Sequence, residues 1–137
     1  FEAEAKILDS HYKNNYVNLG IISGADKMKH LQTTDIFLTA SYSEGFSRSL
    51  LEAMAIGRPA VFTPVGAHRE VFANGIHGFS FVPGDLEQLK KALRNLLSEE
   101  GKCGEIGLTN REHVVSNFSI SKISKDFKII ITNTMAS

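Results

Sequence analysis

Two carboxylates eight positions apart, Glu44 and Glu52, flank a predicted helix start in this 137-residue sequence. The helix begins around Ser47, Arg48 and Ser49, and its first backbone N–H groups have no intrahelical partner, so they can bind a phosphate. Carboxylates repel phosphate, so their use beside such an anion is to accept hydrogen bonds from hydroxyl groups. Two hydroxyl-bearing groups joined by a diphosphate describe a nucleotide sugar, and the pattern favours that class of ligand.

Two predicted elements position these side chains. Residues 35–40 form a short apolar run, as expected of a strand buried on both faces of a parallel sheet. A helix is predicted over residues 47–56, with Ser47 as its N-cap. Glu44 therefore lies in the loop just after a strand, beside Gly45, which lets the backbone approach a ligand closely.

The alternation of strands and helices continues along the chain. Further strands are predicted at residues 16–19, 59–63 and 79–82, and further helices at 68–73, 86–97, 105–117 and 121–134. Strands separated by helical connections indicate right-handed crossovers and a parallel sheet. The predicted class is α/β and Rossmann-like, one domain over residues 1–137 with a helical tail from about residue 101. Ligands of such sheets bind outside the carboxyl ends of the strands, here the loops 41–47, 63–70 and 83–85.

Composition excludes several other classes. Apolar residues make up 42% and charged residues 22% of the sequence, as in a soluble globular protein. Fifteen basic residues balance fifteen acidic ones, which argues against a nucleic-acid surface. Cys103 is the only cysteine, so no intrachain disulfide forms and a reducing cytoplasm is expected. The histidines lack metal-ligand spacing and there is no Asp-x-Asp motif, so no metal or other cofactor is predicted.

Residues 44–59 resemble the Glu-x7-Glu motif of the family 4 retaining glycosyltransferases, which have the GT-B fold. The submotifs Glu-Gly-Phe and Leu-Glu-Ala-Met-Ala-x-Gly-x-Pro occur here in the family's order. The similarity continues through residues 65–71, 74–79 and 83–85 and spans about residues 17–97. Ala67 replaces the family's usual glycine, which adds a methyl group near the phosphates, and Ser47 and Arg48 replace a commoner Gly-hydrophobic pair.

The resemblance implies that this chain is the carboxy-terminal, donor-binding half of such an enzyme. Glu44 would be the catalytic-site residue, orienting the donor sugar through its hydroxyls, and Glu52 would bind the ribose hydroxyls. The other donor-binding residues that the resemblance implies are Gly45, Phe46, Ser47, Arg48, Gly66 and Ala67. Glu44 is expected to orient or stabilise, because the family mechanism is usually drawn as front-face attack without a settled protein nucleophile.

The implied reaction moves a sugar from a UDP-, GDP- or ADP-linked donor to an acceptor hydroxyl in polysaccharide or glycolipid assembly. In the family, a separate amino-terminal domain holds the acceptor, and an Arg and a Lys near the first strand of the donor domain meet the donor phosphate. The chain begins at Phe1 and is expected to lack all of these, so alone it should be inactive or nearly so. The full-length enzyme is expected in the cytoplasm or associated with the inner face of the membrane.

Two other interpretations stay open. The chain could be a truncated or degenerate module that binds a nucleotide sugar or a partner without catalysis. It could also come from another GT-B enzyme, such as a nucleotide-sugar epimerase or an α-glucan phosphorylase relative, although no pyridoxal-binding lysine context is recognisable. Glu44 and Glu52 could each be an ordinary loop or surface carboxylate, and Arg48 could point toward phosphate or into solvent.

Overall fold

A computed structural model describes residues 15–135 of the chain, with side chains through residue 132. The chain divides between His30 and Leu31 into two compact units. In the described part of the first unit, residues 15–23 form neither helix nor strand, and helix α1, Gly24–Gln32, begins. The sheet and all of the predicted site residues belong to the second unit.

The strand predicted at residues 16–19 is wrong. Val17 and Leu19 are 77% and 44% exposed, and this segment has no strand pairing among the described residues. A strand depends on hydrogen bonds to a neighbouring strand as well as on its own apolar pattern. The local pattern alone was therefore not enough to predict a strand here.

Three parallel strands form the sheet of the described residues: β1 (Phe37–Thr39), β2 (Ala60–Phe62) and β3 (Gly78–Ser80), in that order. The central strand β2 is at most 1% exposed along its whole length, so both of its faces are buried. Continuous apolar sequence is typical of such strands. The predicted α/β class, with a parallel sheet flanked by helices, is confirmed.

Five helices follow β1 in the described residues: α2 (Arg48–Ala55), α3 (His68–Val71), α4 (Leu86–Leu97), α5 (Lys102–Phe118) and α6 (Ile120–Met135). Ser47 is the N-cap of α2, as predicted, and Asp85 is the N-cap of α4, because their side-chain oxygens accept hydrogen bonds from the N–H groups of Leu50 and Gln88. Helix α3 is shorter than predicted because Phe72 is already extended, with φ −117° and ψ 122°.

Two hydrophobic clusters pack on the two faces of the sheet. Alternation along β2 directs Ala60 and Phe62 to one face and Val61 to the other. The buried members of the first cluster are Leu50, Met54, Ala60, Phe62, Phe72 and Val114. Those of the second are Val61, Phe81, Ala92, Leu96 and Ile106. Helices α2 and α4 are therefore held by the core, which fixes where the loops between strand and helix can lie.

Helix α5 holds the amino ends of β2 and β3. Asn110 is fully buried, and its Nδ2 donates to the backbone oxygens of Arg58 at 2.8 Å and His77 at 3.0 Å. One turn earlier, Gly107 lies so close to Gly57 that a Cβ at position 107 would overlap the Gly57 carbonyl oxygen. This end of the sheet is therefore joined to α5 backbone against backbone.

Candidate functional site

Glu44 lies half-buried in the loop after β1, directly against the loop after β2. Gly66 allows this approach, because its φ is +52° and a Cβ there would overlap the Glu44 carbonyl oxygen. Ala67 donates its backbone N–H to the Gly45 carbonyl oxygen at 3.2 Å. The structure thus brings four of the predicted site residues together, and the N–H group of Ala67 is used in joining the two loops.

Hydrogen bonds also fix the start of the Glu44 loop. Thr63 is fully buried, and its Oγ1 donates to the Ser41 carbonyl oxygen at 2.7 Å. The Ser41 hydroxyl donates a long hydrogen bond of 3.5 Å to Oε2 of Glu44 and lies 3.4 Å from Oγ1 of Thr39. The Glu44 carboxylate therefore belongs to a short polar network that begins inside the protein.

The first turn of α2 leaves N–H groups at the position where a helix binds an anion. Leu51 donates the first intrahelical hydrogen bond to the Ser47 carbonyl oxygen at 3.1 Å, and Leu50 donates to the Ser47 hydroxyl at 3.3 Å. The N–H groups of Arg48 and Ser49 precede both bonds and lie in the first turn. The exposed Arg48 side chain adds positive charge to this end of the helix. The arrangement can accommodate a phosphate.

Glu52 is the fifth residue of α2 and is half-buried. It lies about 7.5 Å beyond Ser47 along the helix axis. The buried stripe of α2 consists of Leu50, Ala53 and Met54. Helical periodicity places Glu52 opposite this stripe and one turn after Arg48. The two predicted carboxylates therefore sit on different elements, with Glu44 on the loop and Glu52 on the helix.

Tyr42 connects the loop after β1 to the loop after β3, and no sequence pattern pointed to this contact. Its side chain is 78% exposed, and its hydroxyl would lie 2.9 Å from a Cβ placed at Gly84. Gly84 has φ +85° and precedes Asp85, the N-cap of α4. Through Tyr42, all three loops that were predicted to surround a ligand are connected to one another.

The Phe46 side chain packs toward α5. Its ring lies 5.5 Å from the ring of Phe118, the last residue of that helix, with the planes tilted by 45°. Phe118 in turn packs against the first hydrophobic cluster. The Phe46 ring therefore anchors the loop to the end of α5.

Two histidines, His68 and His77, are buried and make contacts inside the protein. His68 is fully buried, with Nδ1 3.1 Å from the Thr63 carbonyl oxygen. Nδ1 of His77 accepts the Ala73 N–H at 2.9 Å, and the His77 ring lies 4.2 Å from that of His113. Burial, and to a lesser degree the neighbouring His113, lower the pKa of His77. These contacts are structural, and His77 belongs to the end of the sheet opposite Glu44.

Three further observations concern the described residues alone. No group of three or more His, Cys, Asp or Glu side chains among them is arranged to hold a metal ion. None of their helices combines the length and apolar character that crossing a membrane requires. A surface depression along β3 and α4 is lined by Asn74, Phe79, Ser80, Gln88, Lys91, Ala92 and Asn95. It includes none of the predicted site residues.

Comparison with solved structures identifies the fold. The structure of HepE from Anabaena in complex with UDP aligns with 96% of this chain at a TM-score of 0.84 and 22% identity, while this chain covers 36% of HepE. The parallel sheet, its flanking helices and the loops at its carboxyl ends are therefore those of one Rossmann-like part of a GT-B glycosyltransferase.

Sequence comparison gives the family. The model for glycosyl transferases group 1 matches residues 1–113, and the chain belongs to this family. N-acetyl-alpha-D-glucosaminyl L-malate synthase from Bacillus anthracis is 34% identical over 100 residues, which are 73% of this chain and 26% of that protein. 2-Deoxystreptamine N-acetyl-D-glucosaminyltransferase from Niallia circulans is 28% identical over 115 residues, 84% of this chain and 30% of that protein. The chain thus spans less than a third of the length of these two relatives.

Proposed function

We propose that this chain is the carboxy-terminal, donor-binding domain of a retaining glycosyltransferase that transfers a hexosyl group from a nucleotide sugar to an acceptor hydroxyl. The observation that carries this proposal is the placement of Glu44, half-buried where the loops after β1 and β2 meet, just before the amino terminus of α2. The structure of HepE in complex with UDP-glucose supports a UDP-linked sugar as the first donor to test.

Three groups of this chain would each bind a different part of the donor. The N–H groups of Arg48 and Ser49 would bind the diphosphate, since a helix amino terminus carries about half a positive elementary charge. Glu44 would accept hydrogen bonds from the hydroxyls of the transferred sugar. Glu52, one turn farther along α2, would do the same for the ribose hydroxyls. Gly45, Phe46, Ser47, Gly66 and Ala67 would shape the crevice around them.

In the reaction, the bond between the anomeric carbon and the diphosphate oxygen breaks as the acceptor hydroxyl attacks the same face of the sugar, and the proton of that hydroxyl passes to the departing diphosphate oxygen. Positive charge develops on the sugar ring and negative charge on the departing diphosphate. The α2 dipole and the Arg48 side chain would stabilise the diphosphate, and Glu44 would orient and stabilise the ring. The proposal includes no metal or other cofactor.

The acceptor would be bound by an amino-terminal domain outside the part of the family that this chain matches. The proposed setting is polysaccharide or glycolipid assembly, in the cytoplasm or at the inner face of the membrane. A donor-binding domain by itself is expected to bind donor without transferring sugar.

Saturation-transfer NMR on the purified chain tests donor binding, with UDP-, GDP- and ADP-linked sugars as ligands. One donor should receive saturation at its ribose protons, and Glu52→Ala should weaken that transfer. Glu87→Ala is the matched control, because Glu87 is an exposed carboxylate in the first turn of another helix, α4. The control should leave the transfer unchanged.

Two results would count against the proposal. If a folded chain gives no transfer to any of these donors, this domain is not a donor site by itself, and the interpretation as a degenerate module gains weight. If Glu52→Ala and Glu87→Ala weaken transfer equally, the ligand binds elsewhere on the surface.

A further inference from the structure

Thr63 is fully buried and hydrogen-bonded through both its backbone and its side chain. It follows β2, is fully buried, and donates its backbone N–H to the Thr39 carbonyl oxygen at 3.2 Å. Its carbonyl oxygen lies 3.1 Å from Nδ1 of His68, and its hydroxyl donates to the Ser41 carbonyl oxygen at 2.7 Å. Because the backbone bonds fix the residue on both sides, the hydroxyl has a defined position from which it holds Ser41.

Ser41 links Thr63 to the Glu44 carboxylate. The Ser41 hydroxyl donates to Oε2 of Glu44, three positions farther along the chain. On the other side of the turn, Gly66 contacts the Glu44 carbonyl oxygen, and Ala67 donates to Gly45. Both sides of the turn that carries Glu44 therefore depend on residues 63–67.

Contacts that do not involve Thr63 fix the amino terminus of α2. The Ser47 side chain caps that helix, and Leu50, Ala53 and Met54 bury it in the core. Loss of the Thr63 hydroxyl would leave these contacts unchanged. The geometry thus separates the positioning of Glu44 from the positioning of the helix amides.

We infer that Thr63 is a positioning residue that acts through Ser41 to orient the Glu44 carboxylate toward the sugar of the donor. It would govern recognition of the sugar and leave recognition of the nucleotide diphosphate to α2. This inference rests on the proposed function, because it assigns Glu44 to the sugar.

The test compares UDP-glucose with UDP as ligands of the purified chain. Thr63→Val keeps the size and branching of the side chain and removes its hydroxyl, whereas Thr63→Ser keeps the hydroxyl. Thr63→Val should weaken UDP-glucose binding about three- to tenfold, as the loss of one hydrogen bond predicts. UDP binding should change less than about twofold by the same scale. Thr63→Ser should restore the ratio of the two dissociation constants.

A merely structural role for Thr63 would give a different result. Equal weakening of UDP and UDP-glucose, or an unchanged ratio in Thr63→Val, would overturn the inference. If Thr63→Val does not fold, Ser41→Ala removes only the hydroxyl that contacts Glu44, and an unchanged ratio in that variant would overturn it too.

The two proposals fail in distinguishable ways. A folded wild-type chain that binds neither UDP nor UDP-glucose contradicts the assignment of a donor site, and the role of Thr63 falls with it. A wild-type chain that binds both, with the same ratio as Thr63→Val, contradicts the role of Thr63 alone.

Discussion

The two ends of the sheet are built differently. At the amino ends of β2 and β3, α5 contacts the backbone directly, through Gly107 against Gly57 and through the buried amide of Asn110. At the carboxyl ends, the contacts are between loops: Gly66 lies against the Glu44 carbonyl oxygen, and hydrogen bonds such as Thr63 to Ser41 join the loops after β1 and β2. The amino end is closely packed against a helix, whereas the carboxyl end presents half-exposed polar groups such as Glu44.

This difference separates stability from ligand recognition. A buried carbonyl that loses its donor costs about 1–3 kcal/mol, so changes at the amino end should lower the free energy of unfolding. Loops at the carboxyl end can shift into solvent, which limits the cost of a change there. The same shift would move Glu44, so changes at that end should mainly affect the ligand.

The largest effect on stability is expected for Gly107→Ala. The added methyl group would overlap the Gly57 carbonyl oxygen, and α5 would have to move away from β2. The free energy of unfolding should fall by about 3 kcal/mol, measured by urea denaturation. Gly104→Ala is the control on the same helix, because a Cβ there meets nothing within 4 Å. It should be neutral or stabilising by up to about 1 kcal/mol. Equal effects of the two variants would contradict the backbone contact.

Gly66→Ala should show the reverse balance, with a smaller loss of stability and a large loss of binding. The methyl group would push the Glu44 loop away, and the φ of +52° adds strain. We expect a cost of about 2 kcal/mol in unfolding free energy and at least roughly tenfold weaker UDP-glucose binding. Isothermal titration calorimetry measures the second quantity.

Gly75→Ala is the control that separates backbone strain at a positive φ from displacement of the Glu44 loop. Gly75 has φ +82°, but a Cβ there meets nothing within 4 Å. This variant should lose about 1 kcal/mol of stability and bind UDP-glucose normally. Normal binding by Gly66→Ala would instead show that the Glu44 loop does not carry the sugar site.

The smallest expected effect is the pH dependence that His77 adds at the amino end. Because the folded-state pKa of His77 lies below its ordinary value of 6.5, the unfolded chain binds the proton more readily. The stabilising contribution is complete above pH 6.5 and is lost as the pH falls through the folded-state pKa. His77→Gln should reduce this slope in urea denaturation between pH 7.5 and 5.5. Identical slopes in the wild-type and His77→Gln proteins would contradict the assignment.

The elements nearest the site were predictable because local chemistry decides them. Ser47 caps α2 through a contact only three residues away, and the apolar run of β2 is short and continuous. The glycines Gly66 and Gly84 have positive φ, in the loops that follow β2 and β3. What the sequence could not supply was contact between distant segments. Asn110 and Arg58 are 52 positions apart, and nothing local identifies either as the partner of the other.

The failure at residues 16–19 has the same origin. The apolar pattern there resembles that of a strand, but pairing decides whether a strand forms. The contact of Phe46 with Phe118 is a further case, because the ring was expected only as part of a ligand loop and instead packs on the end of α5. Packing between segments that are distant in the chain is thus the hardest feature to predict from sequence.

The hydrogen bond from Thr63 to Ser41 also bears on the order of folding. It closes a segment of 22 residues, whereas the bond from Asn110 to Arg58 closes one of 52. The longer closure costs about 0.8 kcal/mol more in chain entropy. We therefore expect the strand β1–loop–α2–β2 segment to assemble first during refolding, with α5 docking afterwards. Hydrogen-exchange labelling during refolding would show the Thr63 backbone N–H, bonded to the Thr39 carbonyl, protected before the side-chain amide protons of Asn110 if that order holds.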